Sequence, residues 1–167
     1  FTLTATRTAG TTANASASGL ASIVDNDAAP ALIVGDVTVD EAAGTASFTV
    51  TLSAASSLPV SASFATSNGT ATVGADYTAV SGTVNFAPGV TIQTITVPIT
   101  DDAIYEGPES FAVTLSAPVN ATIGDGNAVG TITDNDTPAL VVGGRTVAEG
   151  EGYAVFTRSL PNPSTHA

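Results

Sequence analysis

Cysteine, tryptophan and lysine are absent from this chain, and its single histidine stands at position 166. Without cysteine there are no disulfides and no thiolate metal sites. Glu106 and Glu109 could pose as the paired carboxylates of a glycosidase, but without tryptophan no sugar platform is evident around them. His166 lies far from any Ser–Asp arrangement, which argues against a nucleophilic triad. No Gly-rich phosphate loop is present, and no apolar run approaches the roughly 18 residues of a membrane span. Charge excludes more. Three arginines stand against 15 acids, for a net charge of −12. Such a chain has no basic patch for nucleic acid and no attraction to anionic membrane surfaces. Catalysis is not expected of it.

What is present is acid in one place. Asp101-Asp102-Ala103-Ile104-Tyr105-Glu106-Gly107-Pro108-Glu109 packs four carboxylates into nine residues. Anions forced together in one loop repel unless a cation sits between them. Hard oxygen ligands in a flexible loop suit Ca²⁺, which takes six to eight oxygens from carboxylates, carbonyls and water.

The rest of the chain is all-β in texture. Hydrophobic residues make up 43% of it, too many for a solvated acidic tail. Ala46, Phe48, Val50 and Leu52 alternate with Thr and Ser, and Ile95, Val97, Ile99 and Phe111, Val113, Leu115 repeat that period. Period two with one apolar face marks half-buried antiparallel strands. Strands are expected near 31–39, 45–53, 59–66, 82–87, 91–100, 109–116 and 128–133. Seven short strands punctuated by turn residues read as an antiparallel, immunoglobulin-like β-sandwich. Tyr77 and Phe111 read as core or corner aromatics, and Asp125, in Gly124-Asp-Gly126-Asn127, as a turn residue. Asn14, Asn68 and Asn120 open glycosylation-type triplets that carry little weight here.

The chain also repeats itself, the feature to seek before any fold assignment. Asp25-Asn26-Asp27-Ala-Ala-Pro30-Ala-Leu32 recurs as Asp134-Asn135-Asp136-Thr-Pro138-Ala-Leu140, and Val39-Asp-Glu41-Ala-Ala-Gly44 as Val147-Ala-Glu149-Gly-Glu-Gly152. Residues 1–27 then read as the last two strands of one repeat, 28–136 as a complete repeat and 137–167 as the opening of a third. The chain opens mid-strand at Phe1 and reads as a fragment of something longer.

Glu41, Asp76-Tyr77, the run Asp101-Asp102-x-Ile104-Tyr105-Glu106-x-x-Glu109-x-Phe111 and the terminal Asp134-Asn135-Asp136 together resemble the Calx-β domain. The resemblance spans the complete repeat and both flanking fragments. It implies Ca²⁺ sites at one end of the sandwich, with carboxylates from Glu41, Asp76, Asp101, Asp102, Glu106, Glu109, Asp134 and Asp136 and the carbonyl oxygen of Ile104. Asp25, Asp27 and Glu149 would serve the neighbouring repeats. Eight negative charges exceed what one Ca²⁺ balances, so two or more ions are expected per complete repeat. Ala103 and Asn135 stand where the exchanger pattern can carry an acid. Eleven of the 15 acids fall on these positions, leaving Asp36, Asp40, Asp125 and Glu151 as ordinary surface charge.

Three functions fit this reading. The first is a structural module, tandem repeats forming a rod in a secreted or cell-surface protein, with adjacent repeats as partners and Ca²⁺ fixing loops and junctions. The second is a Ca²⁺ sensor like those that regulate exchangers. The third is a Ca²⁺-dependent adhesive module for a sugar, protein or matrix ligand. The absence of lysine, the Thr/Ala/Gly richness and the close repetition favour a bacterial extracellular protein.

Overall fold

Alternation in sequence becomes alternation in burial. In the strand Thr45–Leu52 every second side chain, Ala46, Phe48, Val50 and Leu52, is buried, and the Thr and Ser residues between them face outward. The computed structural model describes residues 27–137 without a break, and beyond them 141–142, 144, 146, 149–151, 153, 156 and 158–159.

Strands β1 (Ala31–Val34), β2 (Val37–Asp40), β3 (Thr45–Leu52), β4 (Val60–Asn68), β5 (Ser81–Phe86), β6 (Ile92–Pro98), β7 (Glu109–Val119), β8 (Thr122–Asp125) and β9 (Asn127–Thr133) form the sandwich. A short pair, β10 (Val141–Val142) and β11 (Arg158–Ser159), follows. One sheet runs β6-β3-β1-β8 and the other β2-β9-β7-β4-β5. Their inner faces meet in one hydrophobic cluster. Tyr77 stacks on Phe111 at 4.5 Å between ring centroids, and Phe48 meets Phe111 edge-on at 5.7 Å. Both aromatics expected in the core are there. Gly130 makes the crossing possible, since a Cβ at that position would lie 2.5 Å from the Phe111 ring and 2.8 Å from Phe48.

The β-sandwich is as expected, but its strand plan departs from seven antiparallel strands in two ways. The run expected at 31–39 is two strands, one in each sheet, broken at Gly35-Asp36. The signal was in the sequence, because the inward apolar positions change parity there, from 32 and 34 to 37 and 39. A strand cannot keep one face buried through such a change, since its side-chain period is two. The Asp36 carboxylate then accepts a hydrogen bond from the Val129 backbone N–H at 2.8 Å, so it is more than loose surface charge.

The second departure is β8, whose four residues are all exposed and carry no period-two apolar signal. It pairs with β1, and β2 pairs with β9, both in parallel. These two parallel seams correct the fully antiparallel reading. Asp125 ends β8 and accepts from the Asn127 N–H at 3.2 Å, which keeps its turn role. The strands expected within residues 1–26 lie outside the described residues, as does most of 137–167.

Candidate metal centre

Strand pairing brings the distant acids to one end of the sandwich. In the parallel seam Asp40 lies opposite Thr133, so the residues that follow, Glu41 and Asp134, leave the sheet side by side. In the antiparallel pair β7/β9, Glu109 lies opposite Ile132, which sets the loop before β7 against the exit of β9. Asp76 arrives from the β4–β5 connection. Its carbonyl accepts from the Thr100 N–H at 2.9 Å, and the neighbouring Tyr77 bridges to Ile99, just past β6.

Local structure then orients each side chain. Glu41 opens a 3-10 turn, Glu41–Ala43, whose first orphan donor, the Ala42 N–H, is accepted by the Asp40 carboxylate at 3.0 Å. Capping by Asp is a standard solution for such termini. Asp40 therefore supports the site, a role that its reading as surface charge missed, although an Asp just before a turn is the usual sign of a cap. Gly44 closes the turn at φ +69°, where L side chains are strained. In the acid loop, Asp102 accepts from the Ile104 N–H at 2.7 Å, and Asp134 accepts from the backbone N–H groups of both Glu106 and Asp136. Asp76 accepts from the Thr72 N–H at 2.6 Å.

Six of the expected ligands fall into two groups, Glu41 with Asp134 and Asp136, and Asp76 with Glu106 and Glu109. Within each group the candidate oxygens lie within 4.8 Å of one another. Glu41, Asp76, Glu106, Glu109 and Asp134 line one small shared cavity of about 10 Å³, room for roughly one water-sized sphere. Asp101 and Asp102 are exposed and belong to neither group, though their charges act on Glu41 and Asp136. Ile104 is half-buried; its N–H, rather than its carbonyl, has a described partner.

Of the residues assigned to neighbouring repeats, Asp27 is exposed and lines a groove with residues 55–58 and 120–121. That groove lies at the other end of β4 and β7 from the six-acid site. Glu149 opens a 3-10 turn, as Glu41 does, and is exposed. Asp25 lies outside the described residues.

The electrostatics of the two groups are those of an uncompensated anion cluster. Glu41 is only 6% exposed, and one of its oxygens, Oε1, is buried with no hydrogen-bond partner, as is Oδ2 of Asp136. Burial first, then the charges of Asp134, Asp136, Asp102 and Asp101, push Glu41 up from 4.5 to about 7. Burial, then the hydrogen bond to Asp76 and the charges of Asp76 and Glu106, push Glu109 up to about 7. Burial and the charges of Asp134, Asp101 and Asp102 raise Asp136. No Lys, Arg or His occurs between residues 27 and 137, so no basic side chain of that span can offset this charge. Buried polar groups are normally hydrogen-bonded and buried charges paired or metal-bound. The orphaned oxygens of Glu41 and Asp136 and the all-oxygen donor set fit a hard divalent cation such as Ca²⁺.

The family model of the Calx-beta domain matches residues 25–136. The human FRAS1-related extracellular matrix protein 2 is 37% identical over 125 residues, covering 69% of this chain and 4% of that protein. The dog sodium/calcium exchanger 1 is 51% identical over 53 residues, covering 32% of this chain and 6% of the exchanger. The crystal structure of the calcium binding domain CBD12 of CALX1.1 superposes with a TM-score of 0.61 at 26% identity, covering 68% of this chain and 50% of that one. The chain thus spans only a few per cent of the length of the curated relatives it matches. The matched span contains all six carboxylates of the two groups: this chain belongs to the Calx-beta family.

Proposed function

We propose that this chain is a calcium-binding structural module of an extracellular protein. The observation that carries the reading is the pair of carboxylate groups sharing one cavity, with Glu41 buried and one of its oxygens orphaned, in a repeat that has no basic side chain. Glu41, Asp134 and Asp136 would hold one ion and Asp76, Glu106 and Glu109 another, giving two or more per repeat. Asp101, Asp102 and the Ile104 carbonyl stand in the adjoining loop as further ligands. The bound cation supplies the positive charge that the repeat lacks. Its work is to neutralise, not to react, and the function proposed is binding rather than catalysis.

The elements these residues join explain the mechanical part of the proposal. Glu41 follows β2, Glu106 precedes β7 and Asp134 follows β9, so neutralising them removes the repulsion between three strand ends. Asp134 and Asp136 also begin the exit toward 137–167, which reads as the next repeat, and Pro138 restricts the backbone there. Ca²⁺ would stiffen that junction, with adjacent repeats as partners. The extracellular setting is supported by the extracellular matrix relative. Among the described residues no helix is long and apolar enough to cross a membrane.

A regulatory, sensing role is the second reading, favoured by the exchanger match. Affinity separates the two, because extracellular modules bind Ca²⁺ at about 10⁻⁴–10⁻³ M and sensors at about 10⁻⁷–10⁻⁵ M. Calorimetric titration of the chain with Ca²⁺ measures both stoichiometry and affinity. Two or more ions in the weaker range support the structural module, tight binding supports the sensor, and no binding heat at any temperature removes both.

A further inference from the structure

Asp76 is carried by the connection between β4 and β5, away from the strand ends that carry Glu41, Glu109 and Asp134. Something must hold that segment against Glu109 if Asp76 and Glu109 are to act on one ion. Asn68, the last residue of β4, does this from both sides. Its Oδ1 accepts from the Val73 backbone N–H at 3.1 Å and from the Tyr77 hydroxyl at 2.8 Å. Val73 and Tyr77 flank Asp76 and bridge to each other, so one carboxamide oxygen closes the loop around the ligand. Tyr77 is fully buried and stacked on Phe111, two residues beyond Glu109.

A second fastening runs beside the first. The Ser110 N–H donates to the Thr70 hydroxyl at 2.8 Å, and the Ser110 carbonyl accepts from the Ala71 N–H at 2.9 Å. Ser110 is the residue next to Glu109. The loop that carries Asp76 is therefore tied at its start to the neighbour of Glu109 and at its end, through Tyr77, to Asn68.

From this geometry we infer that Asn68 is a positioning residue for the Asp76–Glu106–Glu109 metal group, setting Asp76 through the Tyr77 hydroxyl and the Val73 N–H. The Asn68-Gly69-Thr70 triplet thus reads as loop architecture: Asn68 and Thr70 each contribute an oxygen to the fastening. Groups that orient metal ligands without touching the metal typically change affinity by about 10- to 100-fold when removed. The inference rests on the Ca²⁺ reading given above, and its test separates the two.

The full chain would be titrated with Ca²⁺ by calorimetry as wild type, Asn68→Ala, Tyr77→Phe and the double variant, with Glu109→Gln and Glu41→Gln assigning the binding steps to the two groups. Tyr77→Phe keeps the ring on Phe111 and removes only the donor, so it serves even if Asn68→Ala folds poorly. Both variants should weaken the step that Glu109→Gln weakens, Asn68→Ala by about 10- to 100-fold and Tyr77→Phe by less. The step that Glu41→Gln weakens should be unchanged. The double variant should match Asn68→Ala alone, because both changes break the same bond and paired losses do not add. Wild-type affinity in the variants, additive losses, or equal weakening of both steps would overturn the positioning role while leaving the metal reading intact. A wild-type chain that takes up no Ca²⁺ would overturn the metal reading, and this inference with it.

Discussion

The Asp134 carboxylate accepts a hydrogen bond from the backbone N–H of Glu106, and these two residues belong to different acid groups. One bond therefore joins the exit of β9 to the loop before β7, and it holds the two groups against the cavity they share. Asp134 and Glu106 are thus the residues through which the two groups meet.

Neutralising Asp134 or Glu106 should cost far more Ca²⁺ affinity than neutralising Asp125. Asp134→Asn and Glu106→Gln keep shape and remove the charge that the ion favours, so each should weaken binding by at least about tenfold, or about 1.4 kcal/mol. Asp125 only accepts from the Asn127 N–H in a turn, and Asp125→Asn should leave affinity unchanged. Calorimetry on the three variants decides it. Equal effects would mean that the acid groups are not the binding site.

Ca²⁺ should stabilise the fold beyond the effect of ionic strength. An ion bound only by the native state adds about 2.7 kcal/mol per site at a hundredfold excess over Kd. Melting in Ca²⁺ and in chelator at matched ionic strength should separate by several degrees. Coincident midpoints would sink the metal centre.

Metal-free protein should lose stability as pH rises from about 4.5 to about 7. Glu41 deprotonates near 4.5 in the unfolded chain and at about 7 in the fold, raised first by burial. Within that window the native state holds a proton that the unfolded state has released, so raising pH favours unfolding. The contribution is fully present below 4.5 and gone above 7, on the order of 3 kcal/mol for Glu41 at about 1.4 kcal/mol per pKa unit. Glu109 acts in the same direction. With Ca²⁺ present the slope should reverse, because the ion needs the deprotonated carboxylates. Denaturant unfolding at several pH values, with and without chelator, reads both slopes.

Gly130→Ala should destabilise the chain by about 1–3 kcal/mol, the usual cost of overpacking a filled core. Its Cβ would meet the rings of Phe111 and Phe48, both closer than 3.0 Å. The cost should appear in chelator as well as in Ca²⁺, which distinguishes a packing effect from loss of metal. An unchanged midpoint in chelator would mean that the aromatic cluster yields more readily than its contacts indicate.

By itself the sequence determined that this is an all-β chain and which residues point inward, because period-two alternation is a local property that each strand carries alone. Ala46, Phe48, Val50 and Leu52 needed no partner to be read as core. It also pointed to oxygen-ligand chemistry, since acids gathered in one short loop of a chain without lysine leave few ways to balance charge. What it left undetermined is which strands pair. The break at Gly35-Asp36 and the exposed β8 produce two parallel seams, and β8 has no apolar alternation to announce it. The seam between β2 and β9 sets Glu41 beside Asp134, residues far apart in the chain, and the connection after β4 folds back to bring Asp76 to Glu109. The division of the acids into two groups therefore belongs to the tertiary structure. Ladder hydrogen bonds are made between backbone groups that are alike at every residue, so only packing of the whole sandwich decides which strands lie side by side and which carboxylates end up facing one another.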